Sequence, residues 1–381
     1  MSKFDLKKFL IENKLTEASR HSAKGISKEE FKQVHSLTEE QYNGQDEITG
    51  HLDLSKLTSI PEGFNPKVEG NLDLRSITSA PRGFSPTVGG TLDLSNLTSI
   101  PEGFNPTVEG YLDLQNVTSV PEDFNPTVGG GLALTNLTSI PAGFNPTVGG
   151  NLMLTKLTSV SKGFNPTVGG SLGLPGLTAV PEGFNPTVED GIDLRNITSV
   201  PAGFNPTVGG YLLLRNVTTL PASFNITVGG KLDLTYIEQL PADFTPIVGG
   251  DLVLESLTTI PEGFDPTVEG SLYLGGLKSI PEGFNPTVGG ELYLKNLDKS
   301  EVTHTPENTA KVSAIVGSEV EEDGYDVNDR PLYISEKEED MEYTIDKEGS
   351  VWSHDGYADK KIGKINGTVK VKRTRSNSRI R

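Results

Sequence analysis

Apolar and polar positions recur along this chain with a period of twenty residues, from about residue 52 to residue 297, without an insertion or deletion. Leucine pairs open successive units at Leu52, Leu72, Leu92 and onward to Leu292, with Ile192 the one replacement. A representative copy, at 92–111, reads LDLSNLTSIPEGFNPTVEGY. A fixed short period is the signature of a solenoid. Counting from the first Leu as position 1, position 3 is Leu in every copy from Leu54 to Leu294, position 17 is Val and position 19 is usually Gly. Positions 17, 19, 1 and 3 share a parity, so the pattern predicts a strand over TVGGxLDL with these residues inward and positions 18, 20, 2 and 4 outward. Successive units then stack their strands in parallel, about 4.8 Å apart. Gly at inward position 19 leaves room for another layer to approach closely.

The remainder of the unit must leave the sheet and return. Position 6 is Leu, Ile or Val, position 9 mostly Ile or Val, and position 10 is Pro except at Ser161. Pro-Glu-Gly or Pro-Ala-Gly then signals a turn with Gly available for positive φ. Position 13 is Phe from Phe64 to Phe284, a column worth about 1.5–3 kcal/mol per ring if buried. Asn-Pro-Thr at positions 14–16 marks a second corner, with Ile226 replacing one proline. Two prolines per unit leave no place for a long helix, so the return side is expected to be extended, turn or short 3₁₀.

The run LDLSNLTSIPEGF at 92–104 resembles a leucine-rich repeat. That resemblance implies a mostly β repeat solenoid, curved and right-handed, with one parallel sheet of about 13 short strands on its concave face. The family's Asn between strand and turn is not kept. Position 5 holds Lys56, Ser76, Asn96, Gly176 or Tyr236, while Asn65, Asn105, Asn125 and Asn145 at position 14 are placed to do its work at another corner. The alternative is a parallel β-helix with a second sheet at TSIP.

Composition narrows the class. Only 34% of residues are hydrophobic, which suffices where each unit covers only the next. A formal charge of −18 opposes nucleic acid and anionic membranes. No run reaches the roughly 20 apolar residues of a membrane helix, and MSKFDLKKFLIENKL lacks a secretory apolar core. There is no Cys, which excludes disulfides and thiol chemistry.

The chain divides by pattern into 1–45, a helical cap or docking segment with Phe4, Phe9, Leu10 and Leu15 on one face; 46–297, the solenoid; 298–331, an acidic linker; 332–373, a small β appendage around Trp352; and 374–381, a basic tail. The appendage strands are expected at 332–335, 342–345, 349–354 and 364–373, the last with an Asn-Gly hairpin turn. The opening MSKFDLKKFLIENKLTEASR resembles those of tailed-phage proteins, which implies a virion location; otherwise the chain is expected in the cytoplasm. Nucleic acid is a candidate partner only for the basic C-terminus.

Function is expected at the outward positions where copies disagree. Position 2 begins with Asp53, Asp73, Asp93 and Asp113, either a cation- or base-binding strip or an acidic face partly neutralised by neighbours such as Arg75. Toward the other end Tyr211, Leu213, Val253, Tyr273 and Tyr293 form an apolar-aromatic strip, the candidate site for a protein or glycan ligand, unless the C-terminal segment folds over it as a cap. Pro175 and Glu189-Asp190 make unit 172–191 irregular, either a bend or neutral drift. His21, His35, His51, His304 and His354 have no catalytic or metal-binding context, and no P-loop exists. The expectation is a non-enzymatic recognition solenoid without cofactor or metal. The alternative is a structural spacer or decoration protein of a virion or other assembly.

Overall fold

A computed structural model describes residues 27–222, 224–281, 284, 286–294 and six short strands between 314 and 364. Each twenty-residue coil contributes two strands of two residues, at positions 16–17 and 1–2. They are β1 (Glu47–Ile48), β2 (Leu52–Asp53), β3 (Lys67–Val68), β4 (Leu72–Asp73), and so on in pairs to β25 (Thr287–Val288) and β26 (Leu292–Tyr293). The odd-numbered strands form one 13-stranded sheet, and the even-numbered strands form the second, which a strand β27 (Ala314–Ile315) extends to 14. Pairing is parallel, each residue facing its equivalent twenty positions on, as in Leu92↔Leu112 and Thr147↔Thr167. The architecture is a β-solenoid with almost no helix, and it falls into two compact units, Met1–Leu194 and Arg195–Arg381, built on the same coil.

Two expectations are corrected. The stretch TVGGxLDL is not one strand: the backbone bends at positions 18 and 19, and the pieces on either side belong to different sheets. A parity pattern passes unchanged through such a bend, so it did not show the corner. Nor is the second sheet at TSIP. There the second unit has only the isolated bridges Ser199↔Thr219 and Thr219↔Gln239. The proline at position 10 has no N–H to give a ladder at that place.

The interior is filled by positions 1, 3, 6, 13, 15 and 17. In the coil containing Leu92 these are Leu92, Leu94, Leu97, Phe104, Pro106 and Val108, all buried. The Phe rings stack nearly parallel, with centroids 6.0–6.3 Å apart from Phe84 to Phe184 and 6.1–6.4 Å from Phe204 to Phe284. Each ring follows a tight turn in which the Phe N–H donates to the position-10 carbonyl, as in Phe104 to Pro101 at 3.2 Å. Gly at position 12 takes a positive φ in this turn, for example 76° at Gly103.

Side-chain amides add a third ladder. The Asn165 carbonyl accepts the Asn185 N–H at 2.6 Å, while its amide donates to the Gly183 carbonyl at 3.1 Å. Asn65, Asn105, Asn145 and Asn225 reach the next coil's carbonyl in the same way. The Asn column at position 14 thus does the work expected of it at this corner. Position 5 keeps shorter runs, where Asn116 donates to Asn96 and Asn136 to Asn116. The layer that approaches Gly at position 19 is the preceding coil's own backbone. A Cβ on Gly150 would lie 2.8 Å from the carbonyl carbon of Gly130, and the Gly150 N–H donates to the Gly130 carbonyl at 2.7 Å. Irregular coil 172–191 keeps its register, Leu172↔Ile192, and Asp190 N–H still bonds Gly170 at 3.3 Å.

Among the described residues two helices precede the first coil: α1 (Lys28–His35), opened by a Ser27–Glu30 capping box, and α2 (Glu39–Tyr42), opened by a Thr38–Gln41 box. They bring Phe31 and Tyr42 onto Phe64, with ring centroids 5.2 and 5.3 Å away. The Tyr42 hydroxyl donates to the Glu62 carbonyl at 2.7 Å, and Asn65 N–H donates to the Tyr42 carbonyl at 3.0 Å. Phe4, Phe9, Leu10 and Leu15 lie outside the described residues. After the coils, β28 (Val320–Tyr325) pairs antiparallel with β29 (Pro331–Ser335), and β30 (Glu342–Ile345), β31 (Ser350–His354) and β32 (Asp359–Lys364) form a three-stranded sheet. β28 begins inside the span read as linker. The expected Asn-Gly hairpin and the basic tail lie outside the described residues. Among the described residues no helix is long and apolar enough to cross a membrane.

Asn165→Ala is expected to cost about 1–3 kcal/mol, because it removes two inter-coil bonds, and Gly150→Ala about as much through the backbone clash. Exposed Thr167→Ala should stay within about 0.5 kcal/mol. Urea denaturation of the three variants checks the order.

Candidate functional site

The outward column of the second sheet is position 2, and its acidic members have a local structural task. The Asp53 carboxylate accepts the N–H of Ser55 at 2.9 Å, Asp93 that of Ser95 at 3.0 Å, and Asp113 that of Gln115 at 3.0 Å. Each Asp therefore closes the turn that follows its own strand, in the manner of an Asx turn. The strands place these carboxylates in register, and Arg75 lies between two of them, 2.5 Å from Asp73 and 3.7 Å from Asp93. Burial, with Asp93 alongside, raises the pKa of Asp113, whereas the hydrogen bonds from Ser55 lower that of Asp53. Among the described residues no three His, Cys, Asp or Glu side chains gather as a metal site.

In the second unit the same column runs Leu213, Asp233, Val253, Tyr273 and Tyr293, in direct register from coil to coil. Its aromatic end is ordered by stacking. The Tyr273 and Tyr293 rings are 4.3 Å apart and within 4° of parallel, and the Tyr293 hydroxyl donates to Glu291. Both rings are half-buried, and burial raises both phenol pKa values, so both stay protonated at neutral pH. The stack covers one face of each ring. Val253 is only 7% exposed, so it packs more than it presents, and Leu213 is half-buried. Tyr211 stands at position 20, three coils before Tyr273. At about 4.8 Å per coil that is about 14 Å along the sheet. The strip is thus a line of separated contacts, not a pocket.

Asp233 is the member that sequence reasoning missed. It is 1% exposed, held by Arg215 Nε at 2.9 Å, Thr235 Oγ1 at 2.5 Å and Lys231 Nζ at 3.5 Å. Burial alone would raise its pKa. The bonds from Thr235 and Arg215, with Lys231 nearby, prevail and lower it. Lys231 and Arg215 converge on this one aspartate, which lies in register between Leu213 and Val253. Outside this column, Tyr236 and Ile247 are exposed at 54% and 58%.

Strand β27 continues the sheet edgewise, with Tyr293↔Ile315 and Leu292↔Ala314 in parallel register. Comparison with protein-family models, curated proteins and solved structures finds no significant match. The repeating solenoid of about twenty-residue units is therefore the class this chain defines by its own geometry.

Asp233→Asn is expected to lower stability at pH 7 by about 1–3 kcal/mol, since it weakens a buried charged network. A lowered folded-state pKa contributes stability above the unfolded value of 3.8 that is lost as pH falls through the folded value. The gap between wild type and Asp233→Asn should accordingly close in acid. Asp113, whose pKa is raised, has the opposite sign, and Asp113→Asn should cost nothing at pH 7 beyond its turn bond. Denaturation curves between pH 2 and about 7 read both effects.

Proposed function

We propose that the chain is a non-enzymatic recognition solenoid that binds an extended protein partner along the second sheet's outer face in the 195–294 region. The observation that carries this reading is the replacement of the turn-closing aspartate by Leu213, Val253, Tyr273 and Tyr293. Asp at position 2 supplies a backbone hydrogen bond to its own coil, and these coils forgo it for apolar and aromatic groups on an otherwise polar surface. In the first unit Ala133, Met153 and Gly173 also forgo it, but they build no aromatic surface. The spacing from Tyr211 to Tyr293 exceeds a single small ligand. The mutual stacking of Tyr273 and Tyr293 takes up one face of each ring, which leaves less flat aromatic surface for a sugar to lie on.

A second reading, a spacer or decoration protein of a virion or other assembly, draws on the uniformity of the coils and on their helical first end. Under it the terminal segments, not the sheet, hold the partner. The leucine-rich-repeat resemblance bears on neither reading, because the fold here has two sheets.

The deciding experiment compares full-length protein with Tyr273→Ala plus Tyr293→Ala in capture from lysate of the source cells, alongside thermal melts. The expected result is loss of the partner that wild type retains, with Tm lowered by no more than about 2–4 °C. Retention of the partner by the double variant refutes recognition at this strip. A much larger drop in Tm assigns the pair to structure.

A further inference from the structure

Carboxylates without a counter-ion border the aromatic end of the second sheet's outer column. Positions 20, 2 and 4 from Asp251 to Tyr293 carry Asp251, Glu255 and Glu291 and, among the described residues, no lysine or arginine. Asp251 accepts the Ser271 N–H at 2.8 Å and Glu291 accepts the Tyr293 hydroxyl, so each keeps acceptor capacity beyond its local bond. Glu255 differs from both. It is half-buried, yet it makes no hydrogen bond or ion pair among the described residues. Its carboxylate lies over Gly275, two residues beyond Tyr273, where a Cβ would collide with it. No other copy has Gly at position 4. The tyrosine column is thus flanked by Glu255 at position 4 and by Asp251 and Glu291 at position 20.

The coils just before carry a different balance. There Arg215 and Lys231 meet on the buried Asp233, two cations against one carboxylate. The strip therefore has an electrostatic direction, with its acidic end at the tyrosines. We propose that the segment bound over Tyr273 and Tyr293 is basic, an extended stretch of a protein partner that brings a lysine or arginine to Glu255. This rests on the reading of the tyrosine strip as a binding surface. Complementary charge selects the partner and sets its register, and a carboxylate already partly withdrawn from water attracts a cation more strongly than a fully exposed one. A free metal ion does not fit, because among the described residues no three carboxylates gather as a metal site. The cation must arrive on a chain that meets the three carboxylates in turn. Nucleic acid and anionic lipid are repelled by the same charges.

The test uses the full chain and two labelled peptides of about eight residues, one alternating lysine and threonine, the other glutamate and threonine. At about 3.3 Å per residue either spans Leu213 to Tyr293. Fluorescence anisotropy should show the lysine peptide binding wild type, more weakly as salt is raised, and the glutamate peptide not binding. Glu255→Gln and Glu291→Gln should each weaken the lysine peptide about two- to fivefold. Glu182→Gln, the same change of net charge at an exposed position of the first unit, should leave it unchanged. The inference is overturned if Glu182→Gln weakens binding as much, if neither Glu255→Gln nor Glu291→Gln weakens it, if the glutamate peptide binds, or if neither peptide does. Its failure is distinguishable from failure of the strip. When Tyr273→Ala plus Tyr293→Ala still loses the captured partner, the strip binds and only the basic character is wrong. When that double variant keeps its partner, the strip is wrong and this inference falls with it.

Discussion

Everything in this protein depends on the contact between one coil and the identical coil beside it. A coil by itself buries almost nothing: two strands of two residues and a tight turn leave Leu, Val and Phe uncovered. Stacked, each Leu at positions 1 and 3 meets its counterpart, each Phe ring meets the next ring about one coil away, and strand, corner and side-chain amide ladders run together along each unit. The fold is thus made of one interface repeated, and stability is approximately a sum over neighbours.

That constraint explains which positions tolerate variety. Position 19 faces the backbone of the adjoining coil, so it stays Gly except at Asp190, where the coil-to-coil bond is the longest of its row in that unit at 3.3 Å. Position 12 is usually Gly and then takes positive φ, yet Asp123 and Asp243 close the same turn without it, and their carbonyls still receive the amides of Asn105 and Asn225. Outward position 2 has only a local turn to close. Like exposed position 16, which varies from Glu47 to Ile247, it can exchange carboxylates for aliphatic groups without disturbing a neighbour's interior.

Much of this was legible in the sequence, for reasons that differ residue by residue. The inward set Leu92, Leu94, Leu97, Phe104 and Val108 follows from apolar periodicity alone, because burial is what periodicity records. The corner at Gly89-Gly90 was not read, although Gly-Gly within a strand pattern is itself a breaker signal. The failure of TSIP to form a sheet follows from the proline beside it. The turn role of Asp53, Asp93 and Asp113 is visible as Asp two residues before a loop N–H, but a column of carboxylates reads as readily as a binding strip or a solvated acidic face. The burial of Asp233 could not be foreseen. It depends on where Arg215 and Lys231 come to rest, and charge spacing does not record that.

The helices at the first coil have a temporal consequence. Phe31 and Tyr42 leave the ribosome before any repeat does, so the template on which Phe64 packs exists when the first coil emerges. Each later coil then arrives beside a finished surface of its own kind. At every moment of synthesis the growing end presents one coil face, with one edge of each sheet, for the next coil to join. For a chain whose units are nearly interchangeable, and could pair out of order, this directionality makes correct counting a matter of arrival sequence and not of discrimination between copies.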